Sequence, residues 1–384
     1  MRICIDARMY GLKHAGIGRY VENLIKGILE NKPKFNLFLL IRKDDKQDIS
    51  EDLKVYSVKP VLITADARHY SVKEQILIPY LLYKHKFDLV HFPHFNVPIF
   101  YSGKFLVTIH DLLWHETRGG EVTTLSGVVY FIKYIGYRLV FANSVKRALK
   151  ILTPSVWVKN KLINSYKINN NKISVIYEGI EKTYLNTRYL GFGTKNVFKK
   201  YKITSPYVIY TGSVYPHKNL RILLEAVKQI NIVNKKKLNL YIASSRNVFT
   251  AKLIKMIHHL NGEACIRLLG FVPDCELRDL YRKAVAFVFP SLSEGFGLPG
   301  LEAMAAKCPV IASDSSALPE IYQDSSLYFN PNDKNDLTDK ILMLMNNEKI
   351  RENLLDNSKM LIKKYDWNET AKQTVKTYEN CLGL

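Results

Sequence analysis

Residues 286–306 read AFVFPSLSEGFGLPGLEAMAA. The run Ala286–Phe289 is short and wholly apolar, as expected of a strand buried on both faces. A Gly-rich loop follows, Gly295-Phe296-Gly297-Leu298-Pro299-Gly300. Pro299 suits the first turn of a helix. Glu294 then falls in the loop, and Glu302 sits inside the helix near its start. A phosphate at that helix end would meet free backbone N–H groups. Carboxylates accept hydrogen bonds from sugar hydroxyls. One strand–loop–helix unit therefore offers phosphate and polyol contacts together. The plainer alternative is a structural loop with a Glu favoured by the helix dipole.

A second unit of this kind lies upstream at Tyr207–Asn219, YVIYTGSVYPHKN. Its strand ends at Gly212, Ser213 follows, and Lys218 closes the loop before a helix from about Asn219. Gly allows a tight strand exit, and Lys218 adds a point charge at a helix N-terminus. A plain turn with a solvated Lys is the competing reading.

The same alternation runs through the chain. Apolar runs fall at Tyr207–Tyr210, Leu238–Ala243, Ile266–Leu268, Ala286–Phe289, Val310–Ala312 and Ser326–Phe329. An earlier series falls at Arg2–Ala7, Phe35–Ile41, Leu89–Phe92, Phe105–Ile109, Lys150–Thr153 and Ile173–Tyr177. Amphipathic stretches such as Gly18–Leu29 and Val72–Tyr83 separate them. Short apolar runs alternating with helices imply βαβ units and a parallel sheet. The pattern restarts near residue 205, after a polar Lys- and Asn-rich linker over 181–205. The expectation is an α/β chain of two doubly wound, Rossmann-like domains, 1–190 and 191–365, with a last helix over 366–384. Ligands of such sheets bind beyond the carboxyl ends of the strands.

Two features of the first half stand at such ends. Gly16, Ile17 and Gly18 precede an expected helix over Arg19–Leu29 and would let backbone approach a phosphate or sugar. His110 and Asp111 end the strand Phe105–Ile109, where an imidazole can bond a substrate hydroxyl. His91, His94 and His110 lack an accompanying acid or sulfur ligand set, so no metal is expected.

The chain has 384 residues, enough for two domains with sizeable cores. Its five cysteines show no metal or disulfide spacing, which fits a reducing compartment. No signal-peptide h-region precedes the first strand. Lys and Arg number 56 against 35 Asp and Glu, a net charge of +21. That excess favours anionic partners: nucleic acid, an anionic membrane or a phosphorylated substrate. Residues 122–177 contain no acid and nine Lys or Arg. Within them Val128–Leu139, VVYFIKYIGYRL, is too interrupted by charge to span a membrane but suits an anionic membrane surface. An ordinary amphipathic helix with a solvated basic face is the alternative.

Taken together, these residues resemble a retaining glycosyltransferase of family 4, with the GT-B architecture of two facing Rossmann-like domains. The resemblance runs through DARMYGLKHAGIGRYVENL, VTIHDLLW, ILTPSVWVKNKL, VIYEGI, YTGSVYPHKNL, LGFVPDCEL, FPSLSEGFGLPGLEAMA, PVIASDSSALPE and FNPND. Glu294 and Glu302, with seven residues between them, are its most specific item. The resemblance implies that Glu302 binds the donor ribose. Glu294, Phe296, Gly297 and Leu298 would lie along the donor sugar and diphosphate, and Lys218 would neutralise that diphosphate. Gly212 and Ser213 would line the same loop, and Phe271 and Val272 would hold the nucleotide base. Gly16, with Gly18, would close over the phosphates, His110 would contact the sugar near its 6-hydroxyl, and the segment around Trp367 would cross back to the first domain. Ser213 departs from an Arg found in many relatives. Ser244-Ser245-Arg246-Asn247 and Lys307 stand where Gly is common.

The implied reaction transfers a hexose, with retention, from a nucleotide diphosphate sugar to a glycan or lipid-linked hydroxyl. GDP-mannose is favoured over a UDP-hexose as donor, because VIYEGI and GSVYPHKN resemble mannosyltransferase members. No further cofactor is implied. The expected location is cytoplasmic, peripheral on the inner membrane face. Rival readings are an epimerase or phosphorylase on the same architecture, and a basic nucleic-acid-binding protein. The paired Glu pattern opposes the first, and the absence of a nucleic-acid-binding signature opposes the second.

Overall fold

A computed structural model describes residues 1–113, 127–185, 194–233, 237–245 and 248–383. Residues 122–126 of the acid-free stretch, linker residues 186–193, Trp114, Arg246 and Asn247 lie outside the described residues. The chain is an α/β protein of two compact units, each with its own parallel sheet. One unit holds residues 1–112, 127–179 and 366–383, and the other holds Ile180–Tyr365. The boundary between them falls at Gly179/Ile180, earlier than the expected 190.

The first unit contains β1 (Arg2–Asp6), β2 (Asn36–Ile41), β3 (Val61–Thr64), β4 (Leu89–Phe92), β5 (Phe105–Thr108), β6 (Lys150–Thr153) and β7 (Ile173–Val175). They pair in the order β3-β2-β1-β4-β5-β6-β7. The second contains β8 (Tyr207–Thr211), β9 (Asn239–Ala243), β10 (Ile266–Gly270), β11 (Ala286–Phe289), β12 (Val310–Ser313) and β13 (Ser326–Phe329). Their order is β10-β9-β8-β11-β12-β13. Every expected strand forms, with ends displaced by at most two residues. The central strands are buried along their whole length, which is why they read as unbroken apolar runs. β3 was not expected. It lies at the sheet edge and buries only Ile63 fully, so its apolar signal is weak.

One helix boundary differs from expectation. The first long helix runs Ala15–Glu30, so Gly16, Ile17 and Gly18 form its first turn rather than the loop before it. Gly18 is required there by close packing. A Cβ on it would sit 1.9 Å from the carbonyl oxygen of Gly11.

The last helix, Trp367–Leu382, packs on Ala15–Glu30 within the first unit. Two glycines permit the approach. A Cβ on Gly27 would meet Ala371 Cβ at 2.9 Å, and one on Gly179 would meet Trp367 N at 2.2 Å. A buried polar chain then ties this helix to the sheet. Tyr378 Oη lies 2.7 Å from His91 Nδ1, and His91 Nε2 lies 2.8 Å from Thr108 Oγ1. Thr108 Oγ1 in turn lies 3.2 Å from Tyr20 Oη. Elsewhere in the unit Arg8, fully buried, is shared between Asp6 at 2.6 Å and Glu74 at 2.7 Å.

Burial drives the His91 imidazole down to about 3. Burial also takes His69 and His217 down to about 4, helped by the charges of Arg8 and Lys218 respectively. In an unfolded chain these rings titrate near ~6.5. The unfolded state therefore binds more protons between about pH 3 and 6.5, and stability falls as pH drops through that window. Thermal melts are expected to move to lower Tm from pH 7 to pH 5. His91→Gln is expected to flatten that dependence, and identical slopes for both proteins would overturn the assignment.

Candidate active site

The second sheet has its switch point between β8 and β11. The chain leaves β8 towards β9 on one side, while β11 pairs with β8 on the other. Loops after these two strands therefore emerge side by side at the carboxyl edge, where α/β sheets bind ligands. They carry Lys218 and Glu294. Lys218 ends the turn Pro216–Lys218, and its Nζ donates to Glu294 Oε1 at 2.5 Å. Both side chains are largely buried, at 15% and 12% exposure. Lys218 also lies over the Phe289 ring, 5.6 Å from its centre. Two further bonds brace the loops: Leu292 N to His217 O at 2.8 Å and Glu294 N to Ser316 Oγ at 3.0 Å.

Beyond Glu294 the chain turns into the helix Leu298–Ala305, with Pro299 in its first turn. Gly297 caps this helix at a φ of 99°, a left-handed conformation that disfavours any side chain. Tyr322, wholly buried, fills the space beside the helix and donates to Gly297 O. A Cβ on Gly300 would lie 2.3 Å from the Tyr322 hydroxyl. Glu302 is buried on this helix, and Leu298 is half-buried at its start. Phe296 is buried with its ring edge-on to Tyr365 at 5.5 Å.

Ser213 is held from below, its carbonyl accepting a 2.6 Å bond from Tyr210 Oη. Gly212 exits β8 at a φ of 138°. Burial, with the charge of Glu294 adding to it, pushes the Tyr210 and Tyr322 phenols well up. Both stay protonated and act as donors. At the end of β10, Gly270 turns at a φ of 75° and presents Phe271, which is 61% exposed, beside buried Val272. Lys307 adopts a φ of 62°, a left-handed conformation that Gly takes more readily than any residue with a side chain.

In the first unit His110 follows β5. Its Nε2 donates to Pro93 O at 3.0 Å, and its Nδ1 lies 3.2 Å from Glu178 Oε1. The Tyr20 ring meets it edge-on at 4.6 Å. Both ring nitrogens are thus engaged within the unit. Gly16 has open space where a side chain would be. Among the described residues no cluster of His, Cys, Asp and Glu has the make-up of a metal site.

The structure thus brings Lys218 and Glu294 into contact and sets Gly297, Leu298 and Glu302 on the adjoining helix. Sequence reasoning did not single out Tyr210, Tyr322, Ser316 or Glu178. Tyr210, Ser316 and Glu178 all lay in quoted stretches, YVIYTGSVYPHKN, PVIASDSSALPE and VIYEGI, and no role was read from any of them.

Two family models cover the two halves of the chain. The model described as Glycosyltransferase Family 4 matches residues 14–184, and that described as Glycosyl transferases group 1 matches residues 194–360. The fold is GT-B. Sucrose-phosphate synthase from Thermosynechococcus elongatus superposes with a TM-score of 0.76 at 16% identity, covering 100% of this chain and 99% of that one. The chain belongs to glycosyltransferase family 4. Its relatives include the O-antigen chain mannosyltransferase RfbU of Salmonella typhimurium, 34% identical over 53% of each chain. A glycosyltransferase of Methanocaldococcus jannaschii, MJ1178, is 28% identical over 95% of this chain and 94% of its own. The match to RfbU and to the Escherichia coli O-antigen chain mannosyltransferase B spans about half the length of those relatives.

Gly300→Ala is expected to destabilise the protein by about 1–3 kcal/mol, because Tyr322 is packed where the new methyl would go. Urea denaturation reads this as a lower midpoint at unchanged slope. An unchanged midpoint would show that Tyr322 yields freely.

Proposed function

We propose that the chain is a retaining glycosyltransferase that moves a hexose from a nucleotide diphosphate sugar to a hydroxyl of a glycan or lipid-linked acceptor in cell-surface polysaccharide synthesis. The observation that carries this reading is the buried Lys218–Glu294 contact beside the helix that bears Glu302. It sets a cation, a carboxylate and a helix N-terminus at one sheet edge. A donor diphosphate takes Lys218 and the helix end, while sugar and ribose hydroxyls take Glu294 and Glu302. In the reaction the bond from the anomeric carbon to the diphosphate oxygen breaks. The acceptor oxygen bonds to the same carbon on the same face, and its proton passes to the departing diphosphate. Negative charge grows on that diphosphate, so preorganised Lys218 and backbone N–H groups stabilise the transition state more than the ground state. Phe271 and Val272 serve the base. The mannosyltransferase relatives favour mannose, and with it GDP, over a UDP-hexose. No metal is needed in this scheme.

Lys218→Ala and Glu294→Ala are each expected to lower kcat/KM at least tenfold, or about 1.4 kcal/mol, with circular dichroism confirming the fold. Transfer is expected to persist in EDTA. Near-normal transfer in both variants would refute the site.

We further propose that the first unit rests on the anionic, cytoplasmic face of a membrane, near a lipid-linked acceptor. Among the described residues no helix is long and apolar enough to cross a membrane. The helix Val72–His85 instead exposes Val72, Ile76, Tyr80 and Tyr83 along one face. Ile99 and Phe100 are exposed beside it, bonded through Tyr83 Oη to Phe100 O at 3.3 Å and through Arg147 to Ile99 O at 3.1 Å. Phe131, Ile135 and Leu139 form a second exposed row on the helix Gly127–Arg147, whose last turn holds Lys146 and Arg147. Apolar rows edged by cations suit insertion among headgroups. Co-sedimentation with vesicles containing phosphatidylglycerol is expected, and charge reversal at Lys146 and Arg147 is expected to abolish it. Unchanged sedimentation would remove this surface from the model of action.

A further inference from the structure

The second unit holds a cleft that the transfer chemistry leaves unused. It encloses about 710 Å³ between the helices Leu220–Val233 and Thr250–His259. That volume is in the range of small-molecule sites. Neither Lys218, Glu294 nor Glu302 lines it.

Its floor and rim differ in character. Leu220, Phe249 and Leu253 are buried at its base, and Met256 contributes a polarisable wall. Tyr215 completes an aromatic corner with Phe249, their rings 5.1 Å apart at 59°. The rim is cationic. Lys252 and Lys255 project from successive turns and form no ion pair among the described residues. The one acidic residue in the lining, Glu225, is already paired with Arg221 at 2.8 Å. The cleft therefore offers an apolar, partly aromatic surface under two uncompensated positive charges. A neutral apolar ligand would leave those charges unused, and inorganic phosphate would leave the floor unused.

One wall of the cleft also belongs to the donor loop. Tyr215 and Pro216 line it, and Lys218 N donates to Tyr215 O at 2.9 Å within the same turn. The Tyr215 ring stacks on His217 at 5.9 Å and 21°. A ligand gripping Tyr215 thus stiffens the turn that holds Lys218.

We propose that this cleft binds a small anion with a flat apolar body, of the aryl phosphate class, and that its occupancy is coupled to the Lys218 turn. Binding is independent of the function proposed above. Only its meaning as regulation rests on that function.

The probe is 1-naphthyl phosphate, titrated calorimetrically into the full chain. One-to-one binding is expected, with inorganic phosphate and 1-naphthol each at least tenfold weaker. A Lys252→Glu, Lys255→Glu double variant should weaken the probe at least tenfold while melting at the wild-type temperature. Lys218→Ala and excess GDP or UDP should leave probe binding in place, since they concern the donor loop's other side. Amide exchange over residues 215–219 should slow at least threefold on saturation. Displacement by nucleotide, equal binding to the double variant, absence of binding, or unchanged exchange at 215–219 would each overturn the proposal.

Discussion

The pairing of β8 with β11 is the constraint on which the second unit's chemistry depends. Only two residue pairs set its register, Ala286 with Val208 and Phe287 with Ile209. They join strands that lie far apart in sequence and fix where the following loops emerge. Lys218 reaches Glu294 across that junction, 76 residues away along the chain. Each strand is buried on both faces, so a one-residue slip would cost core burial along its length as well as the contact.

Around this junction the protein relies on absent side chains as much as on present ones. Gly297 and Gly300 leave the volume that Tyr322 fills. The Tyr322 hydroxyl then donates to the Gly297 carbonyl, which also accepts from Gly300 N at 3.2 Å. The first unit uses the same device. Gly27 and Gly179 admit the last helix, and His91 is wedged between Tyr378 and Thr108 with both nitrogens bonded. Close approach and complete hydrogen bonding go together at both places.

Much of this was legible in the sequence, for identifiable reasons. Parallel strands covered on both faces must be apolar throughout, so the expected runs located them. β3 escaped because an edge strand with one fully buried residue carries almost no such signal. The start of the helix Ala15–Glu30 was misplaced because glycine argues for a loop. Here the carbonyl of Gly11 presses against the helix, and only glycine fits. Lys218, Glu294 and Glu302 could each be nominated from their local context. Their partnership could not, since it depends on strand order, which no local pattern encodes. The bracing tyrosines were hidden for the same reason: Tyr210 and Tyr322 look like core residues until the loops above them are placed. His110 was nominated as a ligand-facing ring. That its nitrogens meet Pro93 and Glu178 depends on β4 and on the segment after β7, which sequence alone does not bring together.

The Lys218–Glu294 pair carries a consequence for discrimination. Before any donor arrives, each charge is the other's counter-ion, and both are mostly removed from water. A bare phosphate that captured Lys218 would strand the Glu294 carboxylate without a partner, and an uncompensated buried charge is costly. A phosphate that carries a sugar can supply both replacements at once, an anion for the lysine and hydroxyl donors for the carboxylate. The pair thus works as an interlock that favours ligands bearing both chemical groups. Under the function proposed above, that preference would set intact donor over spent nucleotide and so favour release of the product that transfer leaves behind.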